Sequence, residues 1–172
     1  QGGAYVSRTL ERGSDDEKTL LATNKKLIRA LGLERGATHA EFIKSDADGK
    51  FYFLEIAARV GGAYIAEVLE AASGVNLWRE WAKLEIADGK APKITPQRKE
   101  YAGIILSLAK QEYPDTSAYV EEEIIYRVKK LHHAGLIVRA PRLDRVNELL
   151  DEYGHRFVQD FVAVAPPPER PE

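Results

Sequence analysis

The tetrapeptide Asp46-Ala47-Asp48-Gly49 obliges the chain to double back on itself. It separates two runs, residues 37–45 and 50–58, in which apolar, aromatic and β-branched side chains are mixed with charged ones. Turn residues between two such runs are the local signature of an antiparallel hairpin, so residues 37–45 and 50–58 are expected as paired strands. Successive side chains on a strand point to opposite faces, so a slip of one residue would invert every surface the hairpin presents.

Two turn chemistries compete. A two-residue loop at Asp48-Gly49 sends Glu41 and Glu55 to opposite faces. A type I turn over Asp46 to Gly49, with Gly49 left-handed, makes Ala47 to Gly49 the loop and pairs Asp46 with Lys50. Glu41 then lies opposite Glu55, Ile43 opposite Phe53 and His39 opposite Ala57, with Arg59 on the same side and Phe42, Leu54 and Ile56 on the other. Directly opposed side chains have Cβ atoms about 4.5–5.5 Å apart, where like charges repel. A proton, a neighbouring cationic side chain or a divalent ion relieves that repulsion. Magnesium suits a pair of carboxylates because it keeps water and takes its other ligands from substrate phosphates. Ile43 and Phe53 offer apolar surface to a planar ring. A solvated sheet face screened by Arg59 and Lys50 accounts for the same residues without any ligand.

With 172 residues, 44% hydrophobic and 30% charged, the chain can build one good core or two small ones. A formal net charge of -2 gives no overall attraction to nucleic acid or to an anionic bilayer. No apolar run approaches the roughly 20 residues of a membrane span, and the first residues lack the pattern of a secretory signal. No nucleic acid, no membrane and a cytoplasmic location are therefore expected. The absence of cysteine removes disulfides and thiolate chemistry, leaving carboxylate, histidine, lysine, arginine and hydroxyl groups. There is also no methionine, and the opening QGGAYVSRTLERGS reads like the end of a strand, so a fragment or processed product is expected.

Ser14-Asp15-Asp16-Glu17 has the form of a capping box, and Leu20, Leu27, Ile28 and Leu31 recur at helical spacing up to Gly32. Helices are also predicted over Ala63–Ala72, ending at Ser73-Gly74, and over Leu77–Ala87. Residues 1–88 are expected as one unit and the polar, proline-bearing 89–100 as a linker. Residues 101–164 are expected as a small α+β lobe. Within it the spacing predicts strands at Tyr101 to Ala109, Ile124–Val128 and Leu136–Arg139, a helix over Leu143–Tyr153 and a last strand near Phe157–Val164. Residues 165–172, rich in proline, are expected as a disordered tail. The predicted class is α+β: an antiparallel sheet with flanking helices, followed by the small lobe. Asp46 to Lys50 lacks the terminal glutamate of a calcium loop, and adjacent His132 and His133 would point to opposite faces of a strand, so neither is read as a metal site.

The segment GATHAEFIKSDADGKFYFLEIAARVGG resembles the second half of the ATP-grasp fold, shared by biotin carboxylase, carbamoyl phosphate synthetase, D-alanine:D-alanine ligase and the amino-acid ligases. In that family a strand ending in an acid is followed by a hairpin and then by an apolar-Glu-x-Asn-x-Arg sequence. The resemblance is clear from about Leu20 to Ala87 and looser after Tyr101. It implies ATP and magnesium, or manganese in its place, as cofactors. Glu41 and Glu55 would be the metal ligands, Arg59 the cation near the transferred phosphoryl group, Ile43 part of the adenine pocket, and Gly61-Gly62 the start of the substrate-side loop. Ala57 stands where many members have asparagine, which bears on the number of metal ions. The family's nucleotide-gripping lysines and glycine-rich loop belong to the preceding half of the fold. The resemblance therefore implies a ligase that activates a small carboxylate as an acyl-phosphate for attack by an amine or another nucleophile. It also implies that this chain, without the preceding half of the same protein, does not close over ATP. The competing reading is a non-catalytic ATP-grasp-like binding module, or one that joins two copies of the chain.

Overall fold

The computed structural model describes residues 3–87 and 94–163. In chain order the elements are β1 (Tyr5–Arg8), α1 (Asp15–Ala30), β2 (His39–Lys44), β3 (Phe51–Ala57), α2 (Ile65–Ser73), α3 (Leu77–Ile86), β4 (Tyr101–Leu108), β5 (Ile124–Arg127), β6 (His133–Ala140) and α4 (Leu143–Asp160). The class is α+β with antiparallel sheets, as the hydrophobic periods predict. The described residues form two compact units: one within Leu10–Lys99, the other made of residues before Leu10 together with residues from Glu100 on. None of the helices among the described residues is long and apolar enough to cross a membrane.

The second of these units is a four-stranded antiparallel sheet in the order β1-β4-β6-β5. Its N-terminal strand comes from the far end of the sequence: Ser7 pairs with Ile104 and Val6 with Ile105. Local pattern alone groups residues 1–9 with the hairpin that follows them, because a ladder closed across more than 90 residues leaves no local signal. Helix α4 lies on this sheet and buries Val146, Leu149, Leu150, Tyr153 and Phe157. Their spacing continues one helical face past Tyr153, so the strand expected near Phe157–Val164 is in its described part a continuation of α4, followed by an isolated bridge between Val162 and Ala109. Gly154 does not end the helix; a Cβ there would meet nothing within 4 Å. Residues 164–172, including the predicted tail, and residues 88–93 of the predicted linker lie outside the described residues.

Close approach of α4 to the sheet explains Gly103, where a Cβ would stand 2.5 Å from Leu150 Cδ1 and 3.1 Å from the Ser7 carbonyl oxygen. Aromatic rings fill the space beside it. Tyr119 meets Tyr153 edge-on at 5.1 Å and Phe157 at 5.3 Å, and Phe157 meets Phe161 at 5.0 Å. Rings in such a core need partners for their hydroxyls. Tyr119 Oη donates to Asp160 at 2.9 Å, Tyr153 Oη donates to Glu121, and the Arg156 guanidinium lies 4.0 Å over the Tyr119 ring.

The unit Leu10–Lys99 opens with a well-capped helix. Ser14 Oγ accepts the Glu17 N–H at 3.2 Å, while Glu17 Oε2 accepts from the Gly13 N–H at 2.6 Å, one residue before the usual capping-box donor. At the other end Gly32 is left-handed, with Leu33 N–H on the Ile28 carbonyl and Gly32 N–H on Arg29, a Schellman closure. Helix α2 ends at left-handed Gly74, and the N–H groups of Gln97 and Arg98 both donate to the Ser73 carbonyl. Arg98 Nη1 also donates to the Ala71 carbonyl at 3.1 Å, placing a cation on the negative end of the helix. The core here is small-residue and slight: Val60, Ala66, Val68, Ala71, Ala72 and Val75.

The tyrosine–carboxylate pairs predict a pH profile. Burial first, then hydrogen bonding to a carboxylate, raises the Tyr119 and Tyr153 pKa values, and the Tyr153 hydroxyl holds Glu121 below its ordinary 4.5. A lowered carboxylate contributes stability above its ordinary value that is lost as pH falls through the folded one; a raised phenol contributes below its ordinary value and loses it as pH rises. Tyr153→Phe is expected to lower stability by about 1.5–3 kcal/mol at pH 7 and to flatten the acid-side loss due to Glu121. Urea midpoints of wild type and variant at pH 4, 7 and 9 measure both effects.

Candidate active site

The hairpin of β2 and β3 closes with a longer loop than the sequence predicts. Ser45 N–H donates to the Lys50 carbonyl at 2.9 Å, and Gly49 N–H returns to the Ser45 carbonyl at 2.8 Å, so four residues, Asp46 to Gly49, make the turn. Gly49 is left-handed, with φ +68°. Asp48 braces the turn from both sides, accepting the Lys50 N–H at 3.0 Å and the Tyr52 hydroxyl at 2.9 Å. The Lys50 amide, then Tyr52, keep its carboxyl below the usual range. Lys44, not Asp46, is the last paired residue of β2, opposite Phe51.

That turn shifts the ladder by one residue near the loop, and a β-bulge shifts it back. Ile43 faces Tyr52 and Phe42 faces Phe53; then the register changes at Glu41, which lies opposite Glu55, with Ala40 opposite Ile56 and His39 opposite Ala57. Leu54 is the extra residue. Phe53 therefore leaves the carboxylate face: its ring meets Phe42 edge-on at 5.7 Å. Tyr52 takes its place beside Ile43, correcting the expectation that Phe53 flanks the glutamates. Lys44 is on the Phe42 side, its ammonium 5.5 Å over the Phe51 ring and 2.7 Å from Asp16 of α1. Helix α1 thus touches the face away from the two glutamates.

The structure brings Glu41, Glu55, Ile43 and His39 to one face of the ladder. Glu55 is exposed, the Glu41 side chain is 42% exposed and Ile43 56% exposed, so this face is open. Arg59 follows two residues after β3, exposed, its Nη1 donating to the Val60 carbonyl at 3.1 Å. Gly61 is buried against the His39 ring and Gly62 is exposed. Beyond them Ala63 and Tyr64 have φ of +50° and +62°, an uncommon pair for residues with side chains, immediately before α2. Such backbone persists where its surroundings impose it, and sequence offered no sign of it. Among the described residues no three His, Asp or Glu side chains converge as a self-sufficient metal cage. Two hard carboxylate donors on one open face are a donor set suited to magnesium, which needs only one or two protein carboxylates when phosphate oxygens complete its shell.

No family model and no curated protein matches the chain. Solved structures do. An L-amino acid ligase from Bacillus licheniformis superposes with a TM-score of 0.65 at 12% identity over 96% of this chain. N5-carboxyaminoimidazole ribonucleotide synthetase from Thermotoga maritima gives 0.67 at 12% over 94%, and phosphoribosylglycinamide synthetase from Anaerococcus prevotii gives 0.62 at 16% over 94%. The fold is that of an ATP-grasp C-terminal subdomain. This chain covers 44%, 46% and 45% of those three proteins, so the ATP-grasp likeness extends over less than half of each. Within the ATP-grasp fold the hairpin turn is the local determinant of the carboxylate ladder. Gly49→Ala, which forces a side chain into the left-handed region, is expected to destabilise the Leu10–Lys99 unit by about 1–2 kcal/mol, and Gly49→Asn by less. Chemical denaturation followed by tryptophan fluorescence of Trp78 and Trp81 reads the difference.

Proposed function

We propose that this chain is the carboxylate-bearing half of an ATP-dependent ligase that activates a small carboxylate as an acyl-phosphate for attack by an amine or another nucleophile. The observation that supports it best is the opposition of Glu41 and Glu55 across β2 and β3, with Glu55 exposed and the Glu41 side chain 42% exposed. In this reading the two carboxylates hold magnesium, or manganese, which when bound offsets phosphate charge during transfer. Glu41 and Glu55 would bear on the polyphosphate only through the cation they hold, and exposed Arg59 offers a planar cation to the oxygens that gain charge. Ile43 supplies apolar surface for the adenine ring, with Tyr52 beside it. Gly61 and Gly62 let the backbone pass close to the acceptor carboxylate.

The preceding half of the cleft is assigned to another part of the same polypeptide. Ile43, Tyr52, Phe53 and Leu54 are 49–56% exposed on a two-stranded sheet. Such a hairpin is marginal in water by itself, and a cluster of large apolar side chains on it fits a surface that another layer covers. The small-molecule carboxylate and amine are proposed on the same footing. Glu55→Gln in the full-length polypeptide is expected to lower magnesium-dependent ATP turnover by at least about 100-fold, the scale of losing one oriented electrostatic contact to the transferring group. Recombining this chain with the preceding segment is expected to restore turnover. Undiminished turnover by Glu55→Gln would reject the assignment.

A further inference from the structure

His39 occupies a seat assembled from small residues. It lies directly opposite Ala57 in the ladder, where a larger side chain would compete for the same space. Gly61 closes on it from the segment after β3: a Cβ at that position would stand 3.1 Å from His39 Cδ2 and 3.5 Å from Nε2. The imidazole is only 20% exposed, and its Nδ1 is buried with no hydrogen-bond partner. A buried polar atom without a partner calls for an explanation, because nearly all such atoms in folded proteins are satisfied. The direction of this one supplies it. Nδ1 faces Glu41, whose Oε1 is 3.6 Å away, just beyond hydrogen-bond reach.

We propose that His39 is a positioning residue for the carboxylate pair: held between Ala57 and Gly61, its Nδ1–H closes onto Glu41 Oε1 when a cation is bound, orienting the carboxylate toward Glu55. The inference rests on the reading of Glu41 and Glu55 as a shared cation site. Carboxylates that bind metals are themselves oriented by hydrogen bonds, and loss of such a partner typically weakens metal binding 10–100-fold. A contact slightly too long in the unliganded molecule tightens in the loaded one. Gly61 acquires a second role, since its missing side chain is what allows the ring to sit against Glu41. Neither Gly61 nor Ala57 need touch a ligand for this.

Manganese titration followed by electron paramagnetic resonance, on the longest native polypeptide that contains residues 1–172 and without nucleotide, tests the proposal. His39→Phe, which fills the seat without a donor, is expected to weaken manganese binding about 10–100-fold. His39→Asn, whose side-chain amide can replace Nδ1–H, is expected to stay within about threefold of wild type, a rescue that simple packing would not produce. If His39→Phe does not fold by thermal melting, Gly61→Ala, which displaces the ring by a few tenths of an ångström, is expected to weaken binding in the wild-type background and to have no further effect on His39→Asn. Wild-type affinity in His39→Phe, or equal losses in His39→Phe and His39→Asn, overturns the positioning role while leaving the site intact. Wild-type affinity in Glu55→Gln overturns the cation site itself, and the positioning role with it.

Discussion

Two like charges facing each other across a two-stranded ladder are the constraint around which this molecule is best understood. Opposed carboxylates at Cβ separations of about 5 Å are unfavourable, and no arginine or lysine among the ion pairs of the described residues is matched to Glu41 or Glu55. A sheet that served only stability would gain by replacing either acid with threonine or lysine. Keeping both accords with the proposed role of the pair as ligands of a hard divalent ion that also takes phosphate oxygens.

The hairpin that holds the pair is shaped by two irregularities that compensate. A four-residue turn braced by Asp48 displaces the strands by one position, and the bulge at Leu54 restores them before Glu41 is reached. Between the two, the apolar side chains are dealt to different faces from those that a regular ladder would choose. Phe53 joins Phe42, and Tyr52 joins Ile43. The bulge therefore does more than bend the strand: it decides which ring lies beside the carboxylates. Two non-glycine residues with left-handed backbone, Ala63 and Tyr64, follow the Gly61-Gly62 pair and lead into α2.

The two units spend their residues differently. The sheet of β1, β4, β6 and β5 buries a continuous aromatic and aliphatic core under α4, with its tyrosine hydroxyls satisfied by carboxylates. The Leu10–Lys99 unit buries mostly alanine and valine, no residue of α1 is buried, and large side chains on the hairpin remain exposed.

Much of this is legible in the sequence. Ser14 and Glu17 announced α1, Gly32 and Gly74 its and α2's ends, and the turn residues at 46–49 the hairpin, because capping and turn chemistry are local and left-handed backbone selects glycine. The opposition of Glu41 and Glu55 was also legible, although from a turn one residue too short whose error the unseen bulge cancels. Tertiary structure alone decided the rest. Residues 5–8 pair with a strand almost a hundred positions later, α4 runs past Gly154 because the sheet beneath it keeps accepting Phe157, and His39 is enclosed because Gly61 returns to it. Each of these depends on contacts between residues far apart in the chain, whose energy no local propensity records.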